Sequence, residues 1–280
     1  MSAYPELDDT WRSWIAENVD RGCARSDMVE SMAAAGWART LAPSIIDQVL
    51  REREILATSV PVPEPELADH PSVLRAADRD VRVLLTLESP RLVVFGGLLD
   101  DLECDELIEQ SRARIEASTV IDAISGENVA DLGRISRGMF FKFGETPLVA
   151  RIESRLAEIC RWPMGHSETI QVLHYLPGGK YDPHYDYFAP GHEGTQKVIA
   201  RAGQRVGTVV MYLNTHEAGG GTRFPASGLE VAAQKGNAVF FSYERPHPST
   251  KTLHAGSPVI RGEKWIATLW FRERALGSAM

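Results

Sequence analysis

The sequence predicts an α+β fold: a small helical unit, a proline-rich linker, and a larger β domain with flanking helices. Three observations predict it. Apolar residues recur at helical spacing near the N-terminus, prolines occupy alternate positions from 61 to 65, and short alternating strands broken by glycine-rich turns fill the second half. A chain of 280 residues has room for one large and one small domain. We therefore predict boundaries at 1–56, 57–71 and 72–280.

The N-terminal unit is predicted to contain three short helices between residues 8 and 56. The first carries Trp11, Ile15 and Val19 at positions i, i+4 and i+8, and Pro43 suits the first turn of the third. Helices of this length are not stable alone, so they must pack on one another or on the main domain. A structural cap, a recognition module and a dimer contact all remain open as roles.

The first part of the large domain combines strands and amphipathic helices. Alternation predicts a strand over 81–87 and a second over 92–95, and helical spacing predicts helices from Asp100 or Asp101 to about Ile115 and from Pro147 onward. The polar, glycine-punctuated segment 120–133 is predicted to be a loop over the site.

The second part is predicted to be mostly strands. Residues 189–204 form a polar stretch with three glycines, which we interpret as a long loop acting as a lid or substrate clamp, with a solvated His192. The segments 207–214 and 229–243 alternate like strands around the turn EAGGGTRFP. Short strands at this spacing favour an antiparallel barrel or jelly roll.

A candidate metal site centres on the stretch QVLHYLPGGKYDPHYDYF. His184 and Asp186 stand two positions apart behind a run that alternates like a strand, so both side chains are expected on one side. His254, far downstream, supplies a third ligand. Two histidines and one carboxylate with open positions are typical of non-haem Fe(II) oxygenases. The absence of cysteine from this set disfavours a structural zinc site.

Lys264 is the second candidate site residue. It lies ten positions after His254, within the strand-like apolar run RGEKWIATLW. A buried lysine needs an anionic partner, because an unpaired buried charge is costly. The distal carboxylate of 2-oxoglutarate would be such a partner.

Several motifs between residues 91 and 271 together resemble one family, the prolyl 4-hydroxylase branch of the Fe(II)/2-oxoglutarate dioxygenases. They are LLDDLECDELI, RISRGMFF, ETIQVLHYLPGGKYDPHYDYF, TVVMYLN, GGGTRFP and LHAGSPVIRGEKWIATLW. The resemblance implies a double-stranded β-helix, a jelly-roll fold. This chain departs from the family pattern at Gly221, where many relatives have an acidic residue.

The resemblance also implies a set of cofactors and their ligands. The cofactors are Fe(II), 2-oxoglutarate as cosubstrate, O2, and ascorbate (vitamin C) as reductant, with succinate and CO2 as co-products. The metal ligands would be His184, Asp186 and His254. The carboxylate of the cosubstrate would be held by Lys264 and by hydroxyl groups on Tyr175 and Thr222.

For the substrate, the resemblance implies a prolyl residue in a peptide or protein. Positions that line the peptide groove in the family correspond to Tyr181, Arg205, Glu168, Trp270 and Arg134 of this chain. Aromatic walls suit a pyrrolidine ring. Trp270 could instead be an ordinary core residue, and Arg134 an ordinary surface arginine.

Three other functions remain open. One is a hydroxylase of a free amino acid or small metabolite on the same scaffold. Another is an oxidative demethylase of nucleic acid, against which a net charge of −8 argues, because phosphate binding depends on clustered Lys and Arg. The third is a metal-binding jelly-roll sensor without turnover, which would have no need of Lys264.

The remaining expectations concern compartment and assembly. Cys23, Cys104 and Cys160 form no CxxC pair and are expected to be reduced thiols. The N-terminus lacks the basic and apolar regions of a signal peptide, and no apolar run approaches the ~20 residues that span a bilayer. We expect a cytoplasmic protein without membrane or nucleic-acid partners. The oligomeric state is open, with a homodimer as one option.

Overall fold

The computed structural model describes residues 5–58, 60–117, 119–121, 128–130, 133–191 and 193–276, with the backbone alone for 119–121 and 128–130. Contacts divide the chain into two compact units, Met1–Ser59 and Val60–Met280. Each is described by itself.

The first unit contains helices α1 (Asp9–Asp20), α2 (Arg25–Ala34) and α3 (Ala42–Ala57) in its described part. The Asp8 side chain caps α1 by accepting from the backbone N–H of Trp11. The apolar faces of the helices share one buried cluster that includes Ile15, Met32 and Ile46. The unit therefore buries a core of its own, and its role stays a prediction.

The segment that we predicted as a linker contributes to the second unit from Val60 onward. The N–H of Val60 donates to the carbonyl of Glu244 at 3.2 Å, and that of Glu64 donates to Cys160 at 2.9 Å. Val62 and Leu67 pack against the main core. These contacts anchor the proline-rich segment along the β domain.

The second unit is built from antiparallel strands. They are β1 (Val73–Arg75), β2 (Asp80–Leu87), β3 (Arg91–Gly96), β4 (Glu116–Ala117), β5 (Thr119–Ile121), β6 (Asn128–Ala130), β7 (Arg137–Phe140), β8 (Gln171–Tyr175), β9 (Tyr181–His184), β10 (Arg205–Tyr212), β11 (Ala218–Gly219), β12 (Thr222–Phe224), β13 (Leu229–Val231), β14 (Ala238–Ser242), β15 (His254–Gly256), β16 (Val259–Arg261) and β17 (Lys264–Arg272).

Among the described residues, nine strands form the large sheet in the order β1-β2-β3-β14-β10-β17-β8-β7-β4. A four-stranded sheet has the order β13-β12-β15-β9, and β11 pairs with β16 and β5 with β6. Helices α4 (Asp101–Arg112), α5 (Pro147–Ile159) and α6 (Glu193–Ala202) accompany the sheets. The prediction of antiparallel sheets with flanking helices is confirmed.

Both faces of the large sheet are buried, and the alternation of β10 shows how. Val209 and Met211 belong to a core shared with α4 and α5. Val210 and Tyr212 point the other way, into a second core shared with Phe224 of the small sheet. From Thr208 onward, residues of even number on β10 therefore face the space between the two sheets, where the candidate site lies.

One loop prediction is wrong. Most of the stretch 189–204 is helix α6, whose residues Thr195 and Val198 are buried. Its last carbonyls accept hydrogen bonds from Arg272 and Arg274, two cations placed where a helix C-terminus favours positive charge. Polar composition alone had suggested a loop, because the partners that stabilise the helix lie some 70 residues away in sequence. His192 lies outside the described residues.

Other boundaries differ slightly from prediction. Helix α4 ends at Arg112, before the expected Ile115. Within the predicted loop 120–133, the backbones of β5 and β6 pair as an antiparallel ladder, and 122–127 and 131–132 lie outside the described residues. No helix in the described part of the chain is both long and apolar enough to span a membrane.

Candidate active site

The pairing of β9 with β15 brings the predicted metal ligands together. His184 ends β9 and lies directly opposite His254 at the start of β15, while Asp186 follows two residues later. Oδ1 of Asp186 lies 3.6 Å from Nε2 of His184, and Oδ2 lies 3.6 Å from Nε2 of His254. One ligand atom from each residue falls within 4.8 Å of the others. The three side chains can therefore share one ion.

Backbone carbonyls orient both imidazoles. Nδ1 of His184 lies 2.8 Å from the carbonyl of Asp182, and Nδ1 of His254 lies 3.0 Å from that of Thr252. An Nδ1–H that donates to a carbonyl leaves the Nε2 lone pair for a metal. Burial, with the nearby His184 ring, lowers the pKa of His254 to about 4, which keeps that ring neutral.

Lys264 lies at the start of β17, opposite Tyr175 on β8. Its side chain is 2% exposed, and its Nζ stands 5.3 Å from the centre of the Tyr175 ring. Among the described residues, no carboxylate lies within ion-pairing distance of Nζ. Burial lowers the pKa of Lys264 to about 8. The charge of Glu230 partly offsets this effect without forming an ion pair, so Nζ is left to pair directly with a bound anion.

A single cavity joins the metal ligands to Lys264. Its lining includes His184, Asp186, His254, Lys264, Tyr175 and Thr222. Thr222 is buried, and its Oγ1 accepts a hydrogen bond of 2.8 Å from the Tyr212 hydroxyl. The structure brings together every residue predicted to hold the metal or the cosubstrate.

Three of the predicted substrate residues also line this cavity: Tyr181, Arg134 and Trp270. The Tyr181 ring stacks on His184 with 3.6 Å between centroids, and the Arg134 guanidinium lies 5.0 Å above Tyr181. Arg134 also donates to the side-chain oxygen of Gln171 at 3.1 Å. Aromatic surface therefore adjoins the metal ligands.

The other two predicted substrate-binding residues, Glu168 and Arg205, form an ion pair with each other. Two hydrogen bonds of 2.7 Å join them, and Arg272 donates to the same carboxylate at 2.9 Å. Arg205 lies over the Trp270 ring at 4.2 Å and donates to the backbone carbonyl of Asp186 at 3.3 Å. This pair stands behind the cavity wall, where it supports Trp270 and Asp186, and a direct contact with substrate stays a prediction.

The donor set fits a non-haem iron and an acidic cosubstrate. Two imidazole nitrogen ligands and one carboxylate on one side are the facial arrangement that Fe(II) oxygenases use. The cavity also contains the unpaired cation Lys264, which fits the second carboxylate of 2-oxoglutarate. Comparison with known proteins agrees with this chemistry.

Residues 170–272 match the model of the 2OG-Fe(II) oxygenase superfamily. The chain is 36% identical over 211 residues to probable prolyl 4-hydroxylase 7 of Arabidopsis thaliana, across 68% of this chain and 65% of the relative. It is 36% identical over 210 residues to probable prolyl 4-hydroxylase 6 of the same plant, across 68% of this chain and 71% of the relative. The chain belongs to the prolyl 4-hydroxylase family of 2OG-Fe(II) oxygenases.

A solved structure has the same fold. It is a viral collagen prolyl hydroxylase from Paramecium Bursaria Chlorella virus-1 in complex with 2OG, with a TM-score of 0.50 and 29% identity over 65% of this chain and 94% of that chain. The predicted family, with its use of Fe(II), 2-oxoglutarate and O2, is confirmed. The alignment spans about two-thirds of the length of the plant relatives.

Sequence reasoning missed buried residues that support the predicted metal ligands or the predicted cosubstrate residues. Thr208 and Tyr243 are buried beside Asp186, and Tyr212 is hydrogen-bonded to Thr222. Thr208 carried a usable signal, since it is a polar residue in the apolar run of β10. Tyr243 carried none, because its contact depends on how β14 and β10 are aligned.

Proposed function

We propose that this dioxygenase hydroxylates a prolyl residue in a peptide or protein, on a double-stranded β-helix, with succinate and CO2 as co-products. The observation that carries the proposal is the single cavity that joins the His–Asp–His triad, the unpaired Lys264 and the aromatic surface of Tyr181 and Trp270. Relatives named prolyl 4-hydroxylase support the choice of substrate.

His184, Asp186 and His254 would hold Fe(II) and leave its other positions open. When bound together, Fe(II), 2-oxoglutarate and O2 supply the oxidant that places an oxygen atom on an unactivated carbon. The protein's task is to bind, orient and exclude water. Ascorbate would serve as the reductant that keeps the iron in its ferrous state.

The far end of the cavity would hold 2-oxoglutarate. Lys264 would pair with the distal carboxylate, and Tyr175 and Thr222 would donate hydroxyl hydrogen bonds to it, a charge-assisted and therefore stronger type. Because Thr222 accepts from Tyr212, its own hydrogen remains to be donated. The Lys264 charge then has a partner only when the cosubstrate is present.

The near end would receive the prolyl ring. Tyr181 and Trp270 offer apolar ring surface next to the metal ligands, and Arg134 offers N–H donors. An extended proline-containing segment exposes its backbone carbonyls, because it forms no internal backbone hydrogen bonds. Arg134 would donate to such a carbonyl and so fix the register of the peptide.

The test is succinate release by the full chain with Fe(II), 2-oxoglutarate and ascorbate, with and without proline-rich peptides. We expect a peptide to stimulate succinate and to gain the mass of one oxygen on proline, and we expect His184→Ala to abolish both. Slow succinate release that no peptide stimulates would replace the prolyl substrate with a small molecule. No succinate from folded, iron-loaded protein would favour a metal-binding sensor.

A further inference from the structure

Asp186 takes part in a buried chain of hydroxyl groups that the reaction scheme above does not use. Oγ1 of Thr208 lies 2.7 Å from Oδ2 of Asp186, and the Tyr243 hydroxyl lies 3.0 Å from the same Oγ1. Thr208 is 0% exposed and Tyr243 is 1% exposed. Water therefore has little access to this side of the carboxylate.

The direction of these hydrogen bonds follows from counting hydrogens. A carboxylate that serves as a metal ligand is deprotonated and only accepts, so Thr208 donates its single hydrogen to Oδ2 of Asp186. The Tyr243 hydroxyl must then donate to Thr208.

The large sheet fixes the positions of both hydroxyls. Thr208 on β10 lies opposite Phe241 on β14, and both residues face the space between the sheets. Tyr243 follows Phe241 by two positions and faces the same way, and its N–H donates to the carbonyl of Val206 at 3.0 Å. The chain of hydroxyls thus stands on rigid strand backbone.

We propose that Thr208, supported by Tyr243, is a positioning residue that orients the Asp186 carboxylate for metal binding. Thr208 occupies Oδ2, so Oδ1 is left to the ion as a single-oxygen ligand. The inference concerns the metal centre alone and does not depend on which substrate is hydroxylated.

Removal of the Thr208 hydroxyl would weaken metal binding without removing a ligand. The carboxylate would be free to turn, and Oδ2 would lose its buried donor. Groups that hydrogen-bond to metal ligands typically change metal affinity by about 10- to 100-fold. Loss of the Tyr243 hydroxyl acts through Thr208, so its effect should be smaller.

The experiment is a titration of the metal-free full chain with Co(II), whose visible absorption reports ligand geometry. The variants are Thr208→Val, which keeps the shape of the side chain, Thr208→Ser, which keeps the hydroxyl, and Tyr243→Phe. Tyr212→Phe is the matched control, because it removes a buried tyrosine–threonine hydrogen bond from the same strand without touching a metal ligand.

We expect Thr208→Val to raise the Co(II) dissociation constant by about 10- to 100-fold and to shift the absorption spectrum. Thr208→Ser should restore both values, and Tyr212→Phe should leave both unchanged. The proposal would be overturned if folded Thr208→Val kept the Co(II) affinity and spectrum of the wild type. It would also be overturned if Thr208→Ser lost Co(II) affinity as Thr208→Val does. If Thr208→Val does not fold, Tyr243→Phe decides: unchanged affinity and spectrum would overturn the proposal.

Discussion

Arg205, whose side chain is 14% exposed, and Lys264, which is 2% exposed, are two cations that begin neighbouring strands of the large sheet, and their charges are satisfied in opposite ways. Arg205 lies between Glu168 and the carbonyl of Asp186, with two 2.7 Å hydrogen bonds to the Glu168 carboxylate. Lys264 has no ion-pairing carboxylate among the described residues. Burial disfavours both charges, but the carboxylate of Glu168 more than offsets it for Arg205 alone, whose pKa is raised.

The difference separates a structural charge from one held for a ligand. A paired buried charge is satisfied in every state of the enzyme, so it contributes to the frame around the site. An unpaired buried charge such as that of Lys264 lowers the free energy of unfolding until an anion binds beside it. The lowered pKa of Lys264 reflects this unfavourable burial. Four predictions test this distinction, from the largest expected effect to the smallest.

The largest effect is expected from Glu168→Gln. This change leaves the buried Arg272 and the largely buried Arg205 without their carboxylate, and breaking a buried ion pair typically costs about 3–5 kcal/mol. Urea unfolding of the metal-free protein measures it. Glu64→Gln, which breaks the exposed pair with Arg91, is the control and should change stability little. Equal effects would contradict the structural role of Glu168.

Lys264→Met should act in the opposite direction. Methionine keeps the length of the side chain but removes the unpaired charge, so the metal-free variant should be more stable than wild type by about 3 kcal/mol at pH 7. Because the folded-state pKa lies below the unfolded value, unfolded wild type binds more protons above pH 8. Wild-type stability should therefore approach that of the variant as pH rises from about 8 to 10.5. A destabilised Lys264→Met would mean that the lysine already has a partner.

The same pKa predicts how cosubstrate binding depends on pH. Only the protonated lysine pairs with a carboxylate, and in the free enzyme it loses its proton near pH 8. The KM for 2-oxoglutarate should rise about tenfold for each pH unit above that point, because the protonated fraction falls by that factor. Lys264→Arg should flatten the profile, since arginine stays charged. An identical rise in that variant would assign the titration to another group.

Tyr175→Phe should have the smallest effect. It removes one hydroxyl donor and keeps the ring beside Lys264, and a hydrogen bond to a charged group contributes about 1.5–3 kcal/mol net of its exchange with water. We expect the dissociation constant for 2-oxoglutarate, measured by calorimetry, to rise about tenfold, at the lower end of this range, because Lys264 and Thr222 still hold the carboxylate; metal affinity should be unchanged. A change in metal affinity with unchanged 2-oxoglutarate binding would place Tyr175 outside the cosubstrate site.

Whether a contact could be predicted from the sequence depended on how far apart its two residues lie along the chain. Strand periodicity and family motifs predicted His184, Asp186 and Lys264 as site residues. The structure places all three beside His254 in one cavity. The Glu168–Arg205 pair and helix α6 could not be foreseen, because their partners lie 37 or more residues away and are set by strand register. Thr208 is visible in the sequence as a polar residue within an apolar strand, but only the fold shows that it lies beside Asp186.

The most direct test of the account is calorimetric titration of 2-oxoglutarate into the Mn(II)-loaded full chain at pH 7, for wild type and for Lys264→Met. Truncating one partner of a buried, hydrogen-bonded charge pair costs about 2–5 kcal/mol, so the variant should bind at least about 30-fold more weakly while retaining Mn(II). Equal affinity in the two proteins would contradict the claim that Lys264 is held for the cosubstrate.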